Sequence, residues 1–157
     1  MTHRRDNGRG RARPIALGAV ALLAAAAGFA PSAHAGPSCG SLGCSRTVND
    51  SAYHAVAFRN WCRGGDITGS WTTKRPTCTS GGVKETTYYL APHAHTPWNV
   101  DWDAFQVDPG WCVKVHFVNS WEPDYSQTYD RRGKSAVWVK VGDNSVAHIT
   151  AQSPSHC

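Results

Sequence analysis

The sequence predicts an all-β protein: an antiparallel β-sandwich or small barrel, stapled by disulfides, following a cleaved signal peptide. Three observations predict it. Short apolar/polar alternations of period two recur between clusters of Gly, Pro, Asn and Asp. No 3.6-residue period is sustained beyond residue 35. All six cysteines follow an N-terminal segment built like an export signal, and an even count outside the cell reads as disulfides.

That segment comes first in the chain. Arg4, Arg5, Arg9, Arg11 and Arg13 form a basic region, and Pro14 to Ala30 is small, apolar and uncharged. Pro31-Ser32-Ala33-His34-Ala35 ends in the small-x-small pattern that signal peptidase accepts, so cleavage is expected after Ala35. The uncharged stretch is shorter than the roughly 20 residues a membrane-spanning helix needs. Arg4-Arg5 hints at twin-arginine export, but the flanking His3 and Asp6 favour the general secretory route. Cleavage would remove five of the sixteen basic residues and one of the eleven acids, lowering the net charge from +5 to near neutral. The basicity therefore gives no reason to expect a nucleic-acid partner, or a membrane partner once the signal is gone.

Residues 36–50 read as an N-terminal arm, small and polar, held down by Cys39 and Cys44. Residues 51–157 read as a single β domain without a dividing linker or internal repeat. Tyr53 to Cys62 and Glu85 to Leu90 are rich in aromatic and β-branched residues, which suits strands. Trp98 to Val107 reads as a loop leading into a strand. In Trp111 to Phe117, Trp111, Val113, Val115 and Phe117 share one face, opposite Cys112, Lys114 and His116. Val137, Val139 and Val141 likewise oppose Trp138 and Lys140, and Gly142 to Ser145 reads as a hairpin-like turn into Val146 to Ala151.

Six cysteines allow fifteen connectivities, which sequence alone does not resolve. The expectation is Cys62–Cys78 as a local loop, Cys44–Cys112 across the core and Cys39–Cys157 tying the termini. A zinc ribbon lacks its spacing, since no CxxC is present.

Seven tryptophans give the domain large apolar faces, each with one N–H donor. Trp61 and Trp111 precede cysteines within strands and are expected to pack against disulfides. Trp98, Trp102 and Trp121 lie in loop-like sequence and are candidates for an exposed recognition patch for protein or sugar rings. His93-Ala94-His95 with Asp101 and Asp103 resembles a set of metal ligands, but no third firm ligand is fixed by spacing, so neither metal nor cofactor is expected. Catalytic motifs such as G-x-S-x-G and H-E-x-x-H are absent from the sequence, and no catalytic residue is assigned. Tyr129-Asp130-Arg131-Arg132-Gly133-Lys134 is a basic tip. It reads either as a solvated turn or as a docking loop in which Arg131 and Arg132 fork onto a partner's carboxylates.

The runs from Val48 to Cys62 and from Asp101 to Cys112, with Tyr129 to Lys134 and Trp138 to Val141, resemble small secreted disulfide-containing proteins of Streptomyces and other actinomycetes. In size and export the chain is similar to the small adaptor subunits of secreted Streptomyces umbrella toxin particles. That resemblance implies a non-enzymatic connector whose N-terminal arm, here Gly36 to Asp50, docks in a partner's cleft. The expected function is thus a secreted, extracellular binding protein with a protein partner. The alternatives are a carbohydrate- or cell-wall-binding module using exposed Trp, and a small secreted hydrolase or protease inhibitor.

Overall fold

The computed structural model describes residue 39 and residues 43–157; the signal segment 1–35 lies outside the described residues. Eleven strands and no helix are found among the described residues. They are β1 (Arg46–Asn49), β2 (Ala55–Phe58), β3 (Trp71–Thr72), β4 (Thr79–Ser80), β5 (Val83–Lys84), β6 (Thr87–Leu90), β7 (Ala104–Val107), β8 (Cys112–Val118), β9 (Tyr125–Asp130), β10 (Val137–Lys140) and β11 (Val146–Ser153). One sheet runs β1-β11-β8-β9 and a second runs β3-β10-β7-β2-β6; β4 and β5 form a small separate hairpin. The all-β, sandwich-like class read from the period-two pattern is the class found.

The core follows from that pattern. Val113, Val115 and Phe117 of β8 and Ala147 and Ile149 of β11 face Phe105, Val107, Val137 and Val139 of the other sheet, and all are buried. Each such aliphatic or aromatic side chain removed from water stabilises the fold by about 1.5–3 kcal/mol. The five-stranded sheet is covered on its outer side as well. Phe58, Trp61 and Ala104 are buried there, with Val56 and Trp138 packed against them. Residues 59–86 supply the cover, pinned by Asn60 Nδ2 donating to the carbonyls of Cys78 and Val83. Lys140, on the side of β10 opposite Val137 and Val139, is 4% exposed.

Two readings of the sequence are corrected. Gly142 to Ser145 does not close a hairpin: β10 belongs to the five-stranded sheet and β11 to the four-stranded one, so this turn carries the chain across the sandwich. A period-two pattern reveals which face is apolar, not which strand pairs with which. The expected bridges Cys44–Cys112 and Cys39–Cys157 are replaced by Cys39–Cys44 and Cys112–Cys157, while Cys62–Cys78 is as expected. The sheet register explains the change. Ser153 at the end of β11 pairs with Cys112 at the start of β8, which brings the C-terminus to Cys112. Cys44 precedes β1, whose Arg46 pairs with Val146, so it lies at the opposite end of the sheet.

Arg46–Asn49, the C-terminal part of the expected arm, is strand β1, parallel to β11. Its other edge is closed by hydrogen bonds from Asn49 N–H to the Ala94 carbonyl and from Thr96 N–H to the Thr47 carbonyl. Thr47 and Asn49 are fully buried. This stretch is built into the sheet and is not free to insert into a partner.

Candidate functional site: a cleft-bearing loop end

Both β8 and β10 run toward one end of the sandwich, where β1, β7 and β11 begin. The segments gathered there form two adjoining depressions. The first, a cleft of about 310 Å³, lies between Asp66, Ile67 and Thr68 on one side and Ser120, Trp121 and Glu122 on the other, with Lys140, Gly142 and Asp143 also lining it. The second, a groove of about 380 Å³, lies between Arg46 and Trp98 and the amides of Asn99, Asn119 and Asn144. Asn119 and Ser120 form the wall common to both.

That wall is stiff because its polar groups are paired. Ser145 Oγ donates to Asn119 Oδ1 at 2.9 Å, Asn119 N–H donates to Asp124 Oδ1 at 2.9 Å, and Ser120 Oγ donates to the Asn144 carbonyl at 2.8 Å. Tyr125 Oη reaches across to the Thr68 carbonyl at 2.6 Å. Two glycines let the backbones close in. A Cβ at Gly69, which sits at φ +81°, would overlap Tyr125 Oη; one at Gly142 would overlap Thr68 Oγ1.

Beneath the loop end lies a buried acidic pair. Asp101 Oδ1 accepts from Ser45 N–H at 2.8 Å and from Ser45 Oγ at 2.5 Å, and Ser45 Oγ lies 3.2 Å from Asp103 Oδ1. Asp103 Oδ2 accepts from Trp61 N–H at 3.3 Å. Burial, and then the neighbouring Asp101 charge, push the Asp103 carboxyl up to about 7. Asp66, by contrast, is held low, chiefly by Arg63 Nε at 2.8 Å. Asp101, Asp103 and Asp143 bring carboxylate oxygens within 4.8 Å of one another, an oxygen set of the type a hard cation takes. The Lys140 ammonium already places positive charge beside Asp103 and Asp66, lowering both.

Of the residues the sequence singled out, Trp98 and Trp121 are exposed at this end, by 62% and 76%. Trp102 is not: it is buried beneath Tyr88, ring centroids 5.4 Å apart. Asp101 and Asp103 serve from below rather than at the surface. Tyr129 is buried too, its hydroxyl donating to the Gly69 carbonyl at 2.9 Å, and desolvation pushes that phenol up. Trp61 lies in the outer core with its indole Nε1 donating to Asp66, and Trp111 packs edge-on against Tyr53.

Arg131 and Arg132 sit at the other end and are held by their own chain. Arg132 forks onto both oxygens of Asp130 at 2.9 Å and reaches the Ser155 carbonyl. Arg131 Nε donates to the Ser135 carbonyl and its guanidinium lies over Trp71. The sequence reading did not single out Arg46, Ile67, Asn119 or Asn144, which contribute as much to the loop end as the two tryptophans.

Three disulfides of the kind found in extracellular proteins, two packed sheets and a cleft-bearing end together define a disulfide-bonded β-sandwich. Comparison with protein-family models, curated proteins and solved structures finds no match to this chain.

Proposed function

We propose that this is a secreted, non-enzymatic binding protein, released by signal cleavage after Ala35, that docks a protein partner through the loop end of its sandwich. One observation carries the reading. Of the eight large apolar side chains exposed on the described surface, Ile67, Val118, Trp98 and Trp121 all line these two depressions. Exposed aromatic and aliphatic side chains gathered at one end among polar groups are the anatomy of an interaction site. The resemblance to adaptor subunits of umbrella toxin particles supports a connector within an extracellular assembly. In that role the loop end, rather than Ser45 to Asn49, would make the contact.

The test is affinity purification of the tagged protein from its native culture supernatant, beside Trp121→Ala and Arg132→Ala. A stoichiometric partner is expected with the parent chain and Arg132→Ala. Trp121→Ala is expected to weaken it by about 2 kcal/mol, roughly 30-fold. A partner retained equally by Trp121→Ala refutes docking at this end. Turnover of a polymer with no partner recovered refutes the binding reading itself.

A further inference from the structure

The two depressions share a wall but differ in chemistry. Among the described residues, carboxylates line the cleft beside Trp121, whereas none lines the groove beside Trp98. The one charged side chain among that groove's described lining residues is Arg46. Its guanidinium lies 4.0 Å from the centroid of the Trp98 ring, and it has no hydrogen bond or ion pair to any side chain among the described residues. Trp98 is steadied by the His95 ring at 5.1 Å. Beside Arg46 stand Asn99 and Asn144, while the Asn119 carboxamide is held by Ser145 Oγ and the Pro123 carbonyl and the Ser120 hydroxyl by the Asn144 carbonyl. Asn99 and Asn144 occupy left-handed backbone, φ +62° and +63°, a conformation that Asn adopts readily in turns.

We infer that this groove binds a saccharide bearing a carboxylate, such as a uronic or sialic acid unit. Stacking on an indole leaves the guanidinium N–H fork planar and oriented, the geometry that pairs a carboxylate through two parallel hydrogen bonds. The Asn99 carboxamide both donates and accepts, which matches sugar hydroxyls that do the same. The exposed indole offers an apolar surface to ring C–H groups. With one cation and no anion among its described lining residues, the groove selects an acidic sugar over a neutral one, and the indole face and the Asn99 amide favour a sugar over a plain acidic peptide. The inference assigns the Trp98 side of the loop end to a glycan and leaves the protein partner proposed above to the cleft beside Trp121.

The experiment presents the protein, from residue 36 onward, with an array of uronate- and sialate-containing oligosaccharides, their carboxyl-reduced counterparts and a glutamate-rich peptide, at low ionic strength. Retention on at least one acidic glycan is expected, about ten-fold or more above its reduced form. Arg46→Gln is expected to abolish that difference, Arg46→Lys to restore part of it, and Trp98→Ala to weaken binding, with thermal unfolding confirming that each variant is folded. Trp121→Ala is expected to leave glycan retention unchanged while losing the protein partner, which keeps the two readings separable. No preference for any acidic glycan over its reduced form overturns the inference. So does a preference that survives Arg46→Gln, or equal Arg46-dependent binding of the peptide.

Discussion

Both ends of the sandwich carry aromatic and charged residues, but they differ in how far their ions are paired within the chain. At the end where β9 and β11 finish, the ions are internally satisfied. Arg132 is forked onto Asp130, Lys134 Nζ donates to the Asp130 carbonyl, and the Cys112–Cys157 bridge ties down the C-terminus. At the other end, Glu122 and Asp143 make no side-chain hydrogen bond among the described residues, Arg46 has only an indole face, and two tryptophans stand exposed. The lesson is that density of charge along a chain does not locate a binding surface. The surface lies where groups with recognition chemistry are held in place yet left without partners of their own.

Four measurements sharpen this contrast, taken from the largest effect to the smallest. Cys157→Ser removes a bridge spanning 45 residues. It should lower stability by about 4 kcal/mol in denaturant titration, while leaving Trp121-dependent partner binding intact; loss of that binding in the folded variant would mean that the ends are coupled. Gly142→Ala drives a methyl into Thr68 Oγ1 at the loop end. A loss of about 1–3 kcal/mol is expected, and partner binding should fall with it.

Asp103→Asn tests the buried acid. A carboxyl whose folded value is raised to about 7 from 3.8 binds more protons folded than unfolded between those limits. Stability should therefore fall as pH rises from about 4 to about 7, by at most about 1.4 kcal/mol per pH unit, and flatten above. Asparagine can accept from Trp61 N–H and donate to Ser45 Oγ, so the variant should flatten that slope and be at least as stable at pH 8. An unchanged slope would assign the pH dependence to another group. Arg132→Ala, at the satisfied end, should change stability by less than about 0.5 kcal/mol and leave partner and glycan binding untouched; an effect on either would break the contrast between the ends.

Some of this was legible along the chain. The alternation in Trp111 to Phe117 told which residues of β8 are inside, because a strand's side chains alternate faces whatever its neighbours are. Cys62–Cys78 was legible because only a local loop separates the two. β9 alternates as well, with Tyr125, Gln127 and Tyr129 on the inner side, but its polar sequence did not announce a strand, and Tyr129 read as part of a basic tip. Trp102 read as exposed because its loop-like neighbours gave no sign of the Tyr88 ring lying over it. The groove was illegible for a simpler reason: Arg46, Trp98, Asn119 and Asn144 come from four separate segments, and only strand register brings them together.

By itself, then, the sequence determined the fold class, the inward faces of the central strands and a cysteine content suited to an oxidising compartment, because periodicity and composition are local properties of the chain. The tertiary structure alone decided the pairing of Cys39 with Cys44 and of Cys112 with Cys157. It also decided the burial of Lys140 and Asp103 and the gathering of Arg46, Trp98 and Trp121 at one end. Each of these depends on which strands pair and in what register, a long-range choice made by the packing of both sheets at once.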